Sequence, residues 1–124
     1  MSGSGVIVRN QESELTIFTN RHVVDCAYQE TVCFQILSED IKVRTFDGEI
    51  YTVDEALYSE SDIDLAILKI KTLNAQNYSF AYYREQFEIG EKVIAAGYPS
   101  YADNIVELSI REGEIIDIKE VLSQ

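Results

Sequence analysis

The chain has no tryptophan, one proline, one methionine, one histidine and two cysteines among its 124 residues. Each shortage excludes something. Two cysteines, Cys26 and Cys33, do not make a disulfide framework, and buried free thiols are the expected state. One histidine and two cysteines at no recognisable zinc spacing argue against a metal site, and no cofactor is expected. Long hydrophobic runs are missing as well. No stretch approaches the roughly 18 apolar residues of a membrane span, so none is expected. The opening Met1-Ser2-Gly3-Ser4-Gly5 has neither the basic region nor the apolar core of a signal peptide. Positive charge is scarce: 10 Lys and Arg face 22 Asp and Glu, for a net charge of −12. Such a chain repels phosphate backbones and anionic lipid, which argues against nucleic-acid and membrane-surface partners.

What is present is the composition of a folded domain, 46% hydrophobic and 26% charged, in a chain long enough for a modest core. Its dominant pattern is short strands separated by turns. Val6-Ile7-Val8 and Leu15-Thr16-Ile17-Phe18-Thr19 flank the polar stretch 10–14 and read as a hairpin. Val32, Phe34 and Ile36 share one face at period two, as do Ile41, Val43 and Thr45. Asp47-Gly48 marks a turn, because glycine tolerates positive φ at no steric cost. Residues 49–58 read as one strand. Leu65-Ala66-Ile67-Leu68-Lys69-Ile70, nearly continuous in apolar character, reads as a strand buried on both faces. Residues 71–86 read as a connecting loop. Strands at 91–97, 105–110 and 114–119 complete the series, with Pro99 in a turn. Helix signals are few, the exception being a single turn starting near His22. Strands at this spacing predict an all-β sandwich or barrel.

Two residues stand where chemistry is often placed. His22 follows the strand ending at Thr19-Asn20, and a histidine held at a strand end by a rigid scaffold suits a general base. Asp64 lies directly before the most apolar strand. Taken alone, His22 reads as a structural histidine and Asp64 as a solvated acid at a strand entrance, and their spacing by itself establishes no contact.

Together with Gly3-Ser4-Gly5-Val6-Ile7-Val8, the segments Leu15 to Val24, Asp62 to Ile70 and Ile89-Gly90-Glu91-Lys92-Val93-Ile94-Ala95-Ala96-Gly97-Tyr98-Pro99 form an ordered series. It resembles that of the trypsin-like serine proteases, with the HtrA (high-temperature-requirement) branch as the nearest flavour. The resemblance implies two antiparallel six-stranded Greek-key barrels with the active site between them. Residues 1–75 would form the first barrel, 76–88 a linker, and 89–124 a hairpin of an incomplete second barrel. It also implies that His22 is the general base and Asp64 the acid that orients it, in a peptide-bond hydrolase that needs no cofactor.

One departure from the family pattern is large. Ten serines occur, but none sits in a Gly-x-Ser-Gly-Gly loop; only Ser2 and Ser4 precede a glycine, at the extreme N-terminus. The loop that would carry the nucleophile also supplies the oxyanion hole. The expectation is therefore the N-terminal portion of a serine endopeptidase, inactive alone. Its expected partners are a polypeptide substrate or a missing C-terminal half, or further copies joined through exposed strand edges. The alternative is a non-catalytic, protease-like binding module that uses the tyrosines between positions 78 and 101. Arg21, beside the histidine, receives no role from the sequence.

Overall fold

The computed structural model describes residues 3–25, 40–59, 62–82, 84–99 and 107–118. The predicted strand over Val32, Phe34 and Ile36 lies outside the described residues, as do Cys26 and Cys33. Within them the chain is nearly all-β and its strands pair antiparallel, as expected.

Strands β1 (Gly5–Gln11) and β2 (Glu14–Thr19) form the predicted hairpin, with Gln11 opposite Glu14. Its loop is shorter than the polar stretch suggested. Only Glu12 and Ser13 connect the strands, and Glu12 takes φ 48, the positive value that two-residue hairpin turns demand. The register slips between Ile7 and Arg9, a bulge that bends β1.

After a helical turn, α1 (Arg21–Val24), the chain reaches β3 (Lys42–Arg44) and β4 (Ile50–Thr52). Gly48 N–H donates to the Thr45 carbonyl, and Thr45 N–H donates to the Glu49 carbonyl. Gly48 has φ 88, so the Asp47-Gly48 turn forms where the residue without a Cβ allows it. Residues 49–58 are two strands rather than one. Val53 N–H donates to Ile41 in the β3–β4 ribbon, whereas Asp54 N–H donates to Lys69 in the larger sheet. The chain changes partners between these two residues and continues as β5 (Glu55–Tyr58).

Strand β6 (Ala66–Lys71) lies between β2 and β5, giving the order β1-β2-β6-β5. It is not buried on both faces: Ala66, Leu68 and Ile70 are buried, while Ile67 and Lys69 are half-buried. An antiparallel sheet with one face on the core needs only that alternation. Leu15 stands opposite Ile70 and Ile17 opposite Leu68, so the two central strands supply the middle of the core. Val24, Ile41, Val53 and Ala75 close over it from outside the sheet.

Ala75 sits in a short 3-10 turn, Ala75–Asn77, inside the segment read as a connecting loop. That segment is tied down along its length. Thr72 N–H donates to Ser13, Gln76 Nε2 to the Asn10 carbonyl at 2.7 Å, and Ala81 N–H to Ile7. The Tyr78 hydroxyl reaches Tyr51 at 2.7 Å and both carboxylate oxygens of Asp47.

Strands β7 (Lys92–Gly97) and β8 (Ser109–Glu114) pair in a separate ribbon. Among the described residues, which leave out 105, 106 and 119, one strand, β8, stands where two were predicted over 105–110 and 114–119. Its limits follow from opposition to β7, with Gly97 opposite Ser109 and Lys92 opposite Glu114; Ile115 continues the ladder through bonds with Gly90 and Glu91. The ribbon touches the larger sheet where Tyr98 N–H donates to Ser4 Oγ at 2.6 Å. Among the described residues the strands form a four-stranded sheet and two two-stranded ribbons.

Candidate active site

The pairing of β2 with β6 explains why two residues 42 apart in sequence meet. Thr19, the last residue of β2, stands opposite Ala66, the first of β6. In an antiparallel pair, the residues just beyond one strand's end lie beside those just before the other's start. His22 is three residues past Thr19, and Asp64 is two before Ala66.

Local structure then aims both side chains. The Thr19 hydroxyl donates to the Ser4 carbonyl at 2.8 Å, which fixes the end of β2. Asn20 is extended, with φ −80 and ψ 139, and the chain turns into α1 directly after it. Val24 is buried and anchors that turn to the core. Asp64 sits at the centre of a three-residue turn closed by Leu65 N–H on the Ile63 carbonyl at 2.9 Å. The residue at the apex of such a turn projects its side chain outward, here toward α1.

The resulting contact is close. His22 Nδ1 lies 2.5 Å from Asp64 Oδ2, and His22 backbone N–H donates to Asp64 Oδ1 at 2.8 Å. Asn20 makes no side-chain cap on α1, so the Asp64 carboxylate, from another part of the chain, takes up the N–H groups exposed at that end. Burial pushes the Asp64 carboxyl up. The His22 ring, the His22 N–H, the His22 charge and the Arg21 N–H together outweigh burial and hold it below the usual carboxylate value. An ionised carboxylate only accepts hydrogen bonds, so Nδ1 is the donor. Nε2 then carries the lone pair of the neutral ring. The side chains remain 44% and 31% exposed, which leaves the ring accessible from outside.

The structure thus brings together both residues singled out from the sequence, His22 and Asp64. It also adds two that sequence reasoning passed over. Asn20 Nδ2 donates to the Asp64 carbonyl at 3.1 Å. Arg21 donates from Nε to Asp25 Oδ2 and from Nη1 to the Ser59 carbonyl, each at 2.9 Å, and its guanidinium lies 5.5 Å from the Tyr58 ring centre. Burial raises the Tyr58 hydroxyl, Asp25 adds to the rise, and Arg21 opposes it. Position just before His22 in the chain, one residue for Arg21 and two for Asn20, was the only signal in the sequence for either. Among the described residues no group of three His, Cys, Asp or Glu side chains could hold a metal ion, and no helix is long and apolar enough to cross a membrane.

Comparison with known proteins gives the family of the chain. The family model of the trypsin-like peptidase domain matches residues 3–123. The chain is 34% identical over 96 residues to the serine protease Do-like HtrB of Bacillus subtilis (strain 168), covering 77% of this chain and 18% of that protein. It is 33% identical over 98 residues to the serine protease Do-like HtrA of the same organism, covering 79% and 19%. Identity to the magnetosome formation protease MamE of Paramagnetospirillum magneticum (strain ATCC 700264 / AMB-1) is 33% over 108 residues, covering 87% and 13%. The chain therefore spans less than a fifth of the length of each of these relatives. No solved structure matches it. With an antiparallel all-β fold and a family match over nearly its whole length, the chain belongs to the trypsin-like peptidase domain family.

Proposed function

We propose that this chain is the N-terminal portion of a trypsin-like serine endopeptidase, with His22 as general base and Asp64 as the acid that orients it. The observation that carries the reading is the 2.5 Å contact between Nδ1 and Oδ2. A serine hydroxyl is a poor nucleophile at neutral pH and needs a base to take its proton as it attacks a carbonyl. With Nδ1–H committed to Asp64, Nε2 is the nitrogen that receives that proton and later returns it to the leaving amine. The carboxylate stabilises the imidazolium formed in between. In this reading residues 1–75 form the first barrel with both residues on its rim, 76–88 link, and 89–124 begin the second barrel. The polypeptide substrate lies against the His22 side.

The nucleophile and oxyanion hole come from outside these 124 residues, so the chain alone cannot complete the reaction. A fluorophosphonate probe, which labels activated serines covalently, is expected to leave it unlabelled. Labelling at any of its serines would show that the nucleophile lies within the chain and that this reading misplaces it.

The β7–β8 ribbon bears on the partner. Val93, Ile94 and Ile110 are exposed on it, and a two-stranded ribbon is marginal by itself in water. Exposed edges of this kind favour association with further strands, from a C-terminal half or from another copy. Size-exclusion chromatography is expected to show an apparent mass that rises with concentration. A monomer that persists at high concentration would count against self-association.

A further inference from the structure

We infer that Arg21 is a positioning residue for the His22–Asp64 pair, an inference that rests on the function proposed above. Three consecutive residues reach the same stretch of chain, 59–64. Asn20 donates to the Asp64 carbonyl, Arg21 to the Ser59 carbonyl, and His22 to the Asp64 carboxylate. Ser59 in turn holds the residues on both sides of Asp64. Its hydroxyl donates to the Ile63 carbonyl at 2.5 Å and its N–H to the Leu65 carbonyl at 3.2 Å. Asn20 therefore ties α1 to Asp64 directly, and Arg21 ties it to the residue that fixes both neighbours of Asp64. His22 follows both tied residues directly in the chain.

Arginine is suited to this place for a stated reason. Its planar fork directs Nε to Asp25 and Nη1 to Ser59 while its central carbon lies 5.5 Å over the Tyr58 ring. The Arg21 and Asp25 side chains are only 25% and 18% exposed, so water and salt weaken the pair less than they weaken open surface pairs. A lysine ammonium at the same position cannot hold both acceptors and the ring face in one geometry.

His22 is the only histidine, so its ring proton can be followed by NMR without ambiguity. The unsubstituted chain is expected to show an Nδ1 proton far downfield of the amides. In Arg21→Ala that proton is expected to exchange with water about tenfold faster, the scale of one hydrogen bond to a charged group, while the amide shifts of β2 and β6 stay in place. Arg21→Lys is expected to exchange several-fold faster too, and it carries the test if the alanine variant fails to fold. Exchange in Arg21→Lys equal to that of the unsubstituted chain would overturn the inference, since charge alone would then suffice. Unchanged exchange in Arg21→Ala would overturn it as well, with the proposed function intact. Absence of the downfield proton from the unsubstituted chain would remove the pairing itself, and both proposals with it.

Discussion

Leu15→Ala is expected to destabilise the fold by about 3 kcal/mol, inside the range of roughly 2–5 kcal/mol for truncating a buried leucine. Leu15 is 0% exposed and faces Ile70 across the two central strands. Neither strand can move inward to fill the space, because each is held on both sides by its neighbours in the order β1-β2-β6-β5. The loss combines the transfer energy of the removed carbons with the contacts their neighbours forfeit. For a domain whose net stability is of the order of 5–15 kcal/mol, that is a large share. Leu73 is 94% exposed, so Leu73→Ala is expected to stay within about 0.5 kcal/mol of the unsubstituted chain. Urea denaturation of the two variants side by side checks both values. Equal midpoints would mean that the sheet face carrying Leu15 and Ile70 is not the core.

Asp64→Asn is expected to change how stability responds to acid. The Asp64 carboxyl is held below its ordinary value in the folded chain, so near pH 4 and below the unfolded chain binds more protons than the folded one. Stability supplied by the ionised carboxylate is complete above the ordinary carboxylate value of 3.8. It is lost as pH falls through the lower folded value. The asparagine variant has no such proton to take up, so its stability should vary less with pH across that acid window. Asp47 shares the direction. Its Thr45 hydrogen bond lowers it against the opposing effect of burial, and Tyr78 and backbone N–H groups add to the lowering. Asp47→Asn should therefore flatten the same limb by a separate amount, and the double variant should flatten it further. Denaturation midpoints between about pH 2 and pH 6 check the effect. An unchanged acid limb in Asp64→Asn would contradict an ionised Asp64 on α1.

What was legible in the sequence depends on how local the determining physics is. The β1–β2 hairpin was readable because a polar stretch separates two β-branched runs. Gly48 announced its turn through its own backbone freedom. The alternation of Ala66, Leu68 and Ile70 was hidden because Ile67 is apolar too, and a half-exposed isoleucine looks the same in sequence as a buried one. The break at Val53–Asp54 was invisible for another reason: it arises from two competing partners, Ile41 and Lys69, that only the folded chain brings near. The limits of β8 likewise follow from β7, not from the apolar residues around Gly113. At the site, residue type and motif order pointed to His22 and Asp64. Their meeting depends on the Thr19–Ala66 register, and the contacts of Asn20 and Arg21 depend on backbone carbonyls, which carry no sequence signature.

The proposed function requires an imidazole whose Nδ1 is held by the Asp64 carboxylate and whose Nε2 accepts a proton. Long-range proton–nitrogen correlation on the single histidine of a nitrogen-15-labelled chain reads this directly, at a pH where the ring is neutral. The expected spectrum has the hydrogen on Nδ1 and the bare lone pair on Nε2, and Asp64→Asn should shift the ring toward the opposite tautomer. A neutral ring protonated at Nε2 in the unsubstituted chain would contradict the pairing and leave His22 without the form that a general base requires.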